Sequence, residues 1–489
     1  MKKTAIAVAV LLSIAVAADL AATYHFSRES ERKTAEWTQK LQEMAPYLKI
    51  SNEYQRGFFS STQRLTLGFP GVKEVKGLTV KNVIHHGPFP GFSGVGMAKI
   101  EHSWEFDEAT QKELAKGFGN ESPFSATTSI ALHGAGTTEL RGAPASYTSG
   151  DEKVAWQGFT GTVRFTKNLD TYAGEIVAPK LIVTGKQGAI NMNALAFTFD
   201  QRRMAGFDEL YLGKMNMSLA EVSFKDATSD TKLEKIAFET DATSADNQFM
   251  DIKASLKAAK LLASEIDATD VDYTFSMKHL HAQSFMQLTK AMQAAGPKPG
   301  AGDAKPDTAA LMAQMAAMQK AAKTHGLTLL KNEPVIAIDR INVKLKEGEI
   351  KMSGSVKVPG VTEADIEQPF NLLGKIDAAA TVSIPEAFAR NQYAKTKLRQ
   401  LKAQQQGVVS DAQTTEVAAA AGSEFAMLLA GFAQEGYVTT EGGQLNSRLS
   451  FKGGAFLVTD KPFNPMGGAG RPMPPAGQVM PTRPPFPRQ

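Results

Sequence analysis

The stretch "INVKLKEGEIKMSGSVKV", residues 341–358, constrains this chain more than any other. Ile341, Val343 and Leu345 alternate with Asn342 and Lys344. "KEGE" then interrupts the alternation, and Ile350, Met352, Val356 and Val358 resume it against Lys351, Ser353, Ser355 and Lys357. Side chains on a strand point to opposite faces at every step. The pattern therefore specifies two antiparallel strands with one dry face and one wet face. The same period recurs in "IEHSWEF", where Ile100, His102, Trp104 and Phe106 oppose Glu101, Ser103 and Glu105. It recurs again in "LAFTF" (Leu195, Phe197, Phe199) and in "LNSRLSF" (Leu445, Leu449, Phe451). Between about residues 51 and 276 strands follow one another through turn signals such as "NLD", "GKQG" and "TSADNQ", without a fixed repeat period. The expected fold is α+β and β-dominated. It is a large curved antiparallel β-sheet, a groove or half-barrel, with an N-terminal anchor helix and two helical insertions.

The insertions interrupt a sheet body expected over 51–461. The first, about 280–326, is rich in Ala and Met and is broken by "GPKPGAGDAKP". The second, about 384–433, opens on what reads as a capping box, with Ser383 as N-cap, Pro385 in the first turn and Glu386 three residues on. Its second helix carries Val417, Ala421, Phe425, Leu428 and Phe432 as one apolar stripe. Packing onto the sheet is the expected role of that stripe, against a dimer or lid surface. Residues 462–489 hold nine prolines and four glycines and read as a disordered, basic tail, partly polyproline II.

Charge and cysteine narrow the function classes. The net charge is +4, and Lys461, Arg471, Arg483 and Arg488 in a stretch without acids account for it. The rest of the chain balances, which argues against a nucleic-acid-binding body. Cysteine is absent, which excludes thiolate nucleophiles, disulfides and cysteine-ligated metals. At the N-terminus Lys2 and Lys3 precede "TAIAVAVLLSIAVAADLAAT", an apolar run of 20 residues. At 1.5 Å per residue it spans about 30 Å, enough for a bilayer core. Two readings stand. Residues 1–24 are a retained signal anchor followed by a linking helix over 25–50, or a signal peptide cleaved after Ala17. Either sends the body outward, with the lysines left inside.

The remaining tracts offer little chemistry. In "YQRGFFSS", Gly57 marks a bend into the next strand, and Ser60 and Ser61 lack a G-x-S-x-G elbow. Adjacent His85 and His86 on a strand face opposite ways, so they cannot share a metal, and Gly87, Pro88, Pro90 and Gly91 force a rigid turn. His102, on an apolar face, reads as a satisfied core or groove histidine. His279 and His281 share parity and would form a two-histidine site if their strand continues, though no third ligand is in view. "DATDVD" lacks the glycine and glutamate of a calcium loop, "VTGKQG" lacks the P-loop pattern, and no H-E-x-x-H occurs. No catalytic residue, metal ligand or cofactor is assigned, and no enzyme activity is expected.

The lysine-led apolar run, "YQRGFFSS", "HHGPFP", "EKVAWQGFTG" (residues 152–161) and "EPVIAI" (333–338), in that order, resemble the YdgA-type family of bacterial envelope proteins. The residues carrying the resemblance are Tyr54, Arg56, Gly57, Phe59, His86, Gly87, Pro88, Phe89 and Pro90. More distantly the chain is similar to AsmA-like envelope proteins, whose curved sheets form lipid-conducting grooves. The resemblance implies an inner-membrane-anchored periplasmic protein, open to homodimerisation, without an established catalytic activity. It supplies no catalytic residues. The resulting expectation is a lipid or other apolar envelope component bound in a groove lined by Ile100, His102, Trp104, Leu195, Phe197, Ile341 and Val343. The alternative is a structural, self-associating scaffold with a closed core.

Overall fold

In a computed structural model of the chain the described residues are 49–57, 59–68, 78–186, 188–226, 230–263, 266–295, 308–404 and 410–463. The expected anchor, nearly all of the linking helix, and the tail from residue 464 lie outside them. The chain divides into two compact units, Met1–Asp267 with Phe285–His325, and Ala268–Ser284 with Gly326–Gln489. Every strand pairing described is antiparallel.

The first unit begins with β1 (Lys49–Gln55), β2 (Ser60–Gly68), β3 (Leu78–His86) and β4 (Ala98–Glu105). Helix α1 (Glu108–Phe118) follows, then β5 (Phe124–Ile130), β6 (Gly136–Gly142), β7 (Ala145–Ser149), β8 (Glu152–Trp156) and β9 (Phe159–Phe165). Neighbouring strands pair in sequence from β1 to β6, and β6 then pairs with β9. Alternation is near perfect here. On β3 Leu78, Val80, Asn82 and Ile84 are buried, and on β4 Ala98, Ile100, His102 and Trp104. Asp107 caps α1 by accepting from the Thr110 N–H at 2.8 Å, and the helix buries Leu114 and Phe118 in the same core. This part of the sheet has a closed core.

Five long strands continue the unit: β10 (Thr171–Gly185), β11 (Gly188–Arg203), β12 (Tyr211–Lys225), β13 (Asp230–Thr243) and β14 (Phe249–Ala263). β9 and β8 both pair with β10, and β10 to β14 pair in order. Their apolar residues change parity midway. Ile176 and Ala178 give way to Leu181 and Val183; Phe197 and Leu195 to Met192 and Ile190; Met217 and Leu219 to Val222 and Phe224. Ile236 likewise gives way to Leu233, and Leu256 to Leu261. The ladders are interrupted along one row, at Pro179, Ala194, Ala220, Lys235 and Ala259. Ala194 and Lys235 there take φ of 52° and 49°, conformations rare for non-glycine residues. Such a residue breaks the two-residue alternation as a bulge does. Leu181 and Met192 on one side of the seam, and Leu195 and Phe197 on the other, accordingly pack against the same core cluster. The parity step in the sequence is cancelled by the step in the backbone, and the dry face stays whole.

The second unit holds most of β15 (Ile266–His281), with β16 (Val335–Leu345), β17 (Gly348–Lys357), β18 (Asp377–Pro385), β19 (Thr439–Glu441), β20 (Gln444–Lys452), β21 (Ala455–Val458) and β22 (Lys461–Pro462). The 341–358 hairpin forms in the expected register, Ile341 opposite Met352 and Val343 opposite Ile350. A bulge between Ile338 and Ile341 lets Ile336 and Ile338 join that face.

Helices occur where the two insertions were expected. In the first, α2 (Ala282–Ala295) and α3 (Thr308–Ala321) flank the proline-glycine stretch; in the second lie α4 (Glu386–Gln404) and α5 (Asp411–Gln434). Two local expectations fail. Ser383 is not an N-cap, because β18 runs through it to Pro385, pairing Ser383 with Asn446 on β20. The capping box sits instead at Ser410 and Gln413 on α5. Among the described residues the α5 stripe does not pack onto the sheet. It meets α4, with the Tyr393 and Phe425 rings 5.8 Å apart and Lys397 bound to Glu424 at 2.8 Å, while Leu428 and Phe432 stay exposed.

Candidate functional site

Two of the tracts that carry the resemblance, "YQRGFFSS" and "HHGPFP", meet at one end of the first unit. Ser60 pairs with His85 across β2 and β3, and the His86 N–H donates to the Phe59 carbonyl at 2.9 Å. The Ser61 Oγ lies 2.9 Å from His86 Nε2 and accepts from the Gly57 N–H at 3.3 Å. A Cβ on Gly57 would strike the Ser60 carbonyl, and one on Gly87 the Gly96 carbonyl. Both positions therefore need glycine for close approach. Gly87–Pro88 is cis, and the Gly96 N–H closes the loop onto the Pro88 carbonyl at 3.1 Å. Burial, then Arg56, then His85 push the His86 pKa below its ordinary value. Ser61 is only 1% exposed, which seals its hydroxyl from solvent. Gly57, the Phe59 backbone, His86, Gly87 and Pro88 thus tie two hairpins together, with Tyr54 packed on the Ile84 cluster and the Arg56, Phe59 and Phe89 side chains exposed.

His102 lies in a buried polar row that crosses six strands. Its Nδ1 is 2.7 Å from Asn82 Oδ1, and its Nε2 is 2.9 Å from Thr128 Oγ1. Asn82 Nδ2 donates to Gln63 Oε1 at 2.9 Å, and Gln63 Nε2 donates to Asn52 Oδ1 at 3.1 Å. At the other end Thr128 and Thr138 share a bond of 2.9 Å. Since Asn82 Oδ1 must accept, His102 donates through Nδ1 and accepts through Nε2. Burial lowers its pKa to about 4. The row parts two apolar clusters, Ile100 with Ile84 and Ile130 on one side, Trp104 with Val80 and Phe124 on the other. Ile100, His102 and Trp104 are therefore corrected as groove lining: at 2%, 2% and 7% exposure they belong to a closed interior.

The open surface lies elsewhere. Leu195 and Phe197 are half-buried on the dry face of the long strands, and the same face carries Ile190, Met215, Phe224 and Leu256 at 37–42% exposure. The opposite face is charged, with Lys232 bridging Glu221 at 3.1 Å and Glu234 at 2.8 Å. In the second unit Ile341 and Val343 are half-buried, and their face exposes Ile336, Ile338 and Met352 at 37–40%. Of these exposed residues the sequence reading placed only Met352 on a dry face. The signal was present as two apolar residues two apart, a step of three, then two more, in "INMNALAF" and in "IAIDRINV".

His279 and His281 do not converge on a metal. A φ of 57° at His279 breaks the alternation that would align them. His279 Nδ1 bonds the Asn332 carbonyl at 2.8 Å, whereas His281 Nδ1 bonds Ser284 Oγ at 2.9 Å. Among the described residues no group of three metal-ligating side chains occurs.

Compared with known proteins, residues 1–466 match the model of a family described as bacterial protein of unknown function, DUF945. No curated protein and no solved structure matches.

Proposed function

The chain belongs to the bacterial DUF945 family, and on that premise we propose that it is a non-catalytic, YdgA-like envelope protein holding an elongated apolar ligand, a lipid, against its uncovered sheet face. The supporting observation is the exposure of Ile190, Met215, Phe224 and Leu256 on one continuous dry face. Monomeric soluble proteins rarely leave large contiguous apolar patches in water without an occupant. Covering the exposed part of one such side chain is worth about 1–2 kcal/mol. Four of them in the first unit suit a ligand that is long and unbranched rather than compact. The seam supports the same reading, because rare backbone conformations at Ala194 and Lys235 preserve a continuous apolar surface.

In this reading the apolar run after Lys2 and Lys3 holds the chain in the inner membrane, with the body in the periplasm. Native mass spectrometry of the detergent-extracted full chain tests the ligand directly. A lipid adduct that survives desolvation supports the reading, and a bare chain under the same conditions contradicts it.

A second reading, self-association, draws on α5. That helix leaves Met427, Leu428 and Phe432 exposed at 70%, 45% and 42% beyond its contact with α4. Covering that stripe with a second copy would make the protein a homodimer whether or not lipid is bound. The same mass spectrum counts subunits.

A further inference from the structure

One end of the first unit combines an apolar rim with a basic cavity. The β1–β2 turn, the β3–β4 loop (87–97) and the β5–β6 turn (131–135) lie side by side there, as the registers Gln55 to Thr62, His86 to Ala98 and Ile130 to Gly136 require. They expose Phe59 at 79%, Val95 at 65%, Phe89 at 60% and Leu132 at 60%. No carboxylate occurs in residues 56–59, 87–97 or 131–135, while Arg56 and His133 do. Scattered apolar side chains need no explanation, but four of the most exposed, on adjoining acid-free loops, do.

Beneath the 87–97 loop lies a cavity of about 490 Å³, whose lining includes Pro90, Val95, Lys99, Ser129, Thr137 and Arg164. Lys99 pairs with Ser129, Ser129 with Thr137, and Thr137 with Arg164, so the four form one row across β4, β5, β6 and β9. At about 4.8 Å per strand the backbone positions of Lys99 and Arg164 stand about 14 Å apart, with the hydroxyl-bearing Ser129 and Thr137 between them. Arg164 has no carboxylate within ion-pair distance among the described residues; its direct neighbours Thr162, Thr166, Thr137 and Ala173 are neutral, and Glu139 and Glu175 stand diagonally across the adjoining strands. Lys99 lies 3.3 Å from Glu101, whose side chain is half exposed and which also stands 3.9 Å from His85.

We infer that this end docks on a phosphate-bearing lipid surface, with Phe59, Phe89, Val95 and Leu132 entering the interface and a headgroup phosphate seated between Lys99 and Arg164. An arginine fork and a lysine across two hydroxyls suit a phosphate, whose oxygens accept from all four. The apolar rim distinguishes a lipid surface from a soluble anion, which would gain nothing from it. This inference is independent of whether the dry face of the long strands holds a lipid.

The absence of native cysteine gives a clean test. An environment-sensitive fluorophore on Val95→Cys, in the full chain, is read in neutral detergent micelles doped with phosphatidylglycerol or with a phosphate-free neutral glycolipid. Phosphatidylglycerol should shift the emission to shorter wavelength at a concentration at least tenfold below that needed for the glycolipid. The Lys99→Ala/Arg164→Ala variant, checked for an unchanged melting curve, should lose that preference, and a probe at Lys112→Cys on α1 should not respond. Equal response to both lipids, no response, or a response of all probes alike would overturn the inference. So would saturation of the site by inorganic phosphate alone, which would make it a soluble-anion site.

Discussion

Met192 and Leu195, three residues apart on β11, pack against the same apolar cluster. On a regular strand they would face opposite ways, so the positive φ of Ala194 between them is what unites them. A left-handed conformation costs an L-residue roughly 1–2 kcal/mol, and glycine escapes most of it. Ala194→Gly should therefore be neutral or stabilise the protein by up to about 1 kcal/mol in denaturant unfolding. Ala194→Val should lose at least about 1 kcal/mol, because a branched side chain resists that region. Destabilisation by glycine together with tolerance of valine would show a regular strand at this row.

Closed and open regions of the first unit should answer alanine differently. Ile100 is 2% exposed and Ile190 is 42% exposed, and the two have the same side chain. Ile100→Ala should cost about 2–5 kcal/mol, the range for a fully buried site, and Ile190→Ala under about 1 kcal/mol. Equal losses in urea titration would mean that the long strands are covered.

His102 makes stability depend on pH. Its folded pKa of about 4 lies below the ordinary 6.5 because burial disfavours the imidazolium. Between those values the unfolded chain takes a proton that the native state refuses. The contribution is full above about pH 6.5 and is lost as the pH falls from there toward about 4. The loss is about 3 kcal/mol at one pKa unit per 1.36 kcal/mol. His102→Gln should lower the melting temperature at pH 8 by breaking the row, yet flatten its fall between pH 6.5 and 4. An unchanged slope would remove His102 as its source.

The hairpin at 341–358 was legible because both strands keep strict alternation and a short turn fixes the register. His102 was legible as a satisfied histidine on an apolar face shared with Ile100 and Trp104, but not as one in a closed interior rather than a groove. Its partners were not, because Gln63, Asn82 and Thr128 come from strands whose order no local pattern encodes. Ser383 misled because a cap signature is local, whereas the pairing of β18 with β20 joins residues about 60 positions apart. Groove lining was placed on Ile100 and Trp104 because alternation reports which face is apolar and not what covers it. Leu114 and Phe118 of α1 join the core around Trp104, whereas among the described residues of the first unit no such helix covers Phe224 or Leu256.

The proposal rests most directly on what touches Leu256. A photoreactive benzoylphenylalanine placed at Leu256 and, separately, at Lys257 samples the two faces of β14 one residue apart. Irradiation of the full chain in its native membrane, followed by mass spectrometry of the crosslinked peptide, reads the contact. The expected result is a lipid acyl adduct at position 256 and none at 257. Equal labelling at both positions, or none at 256, would contradict the account.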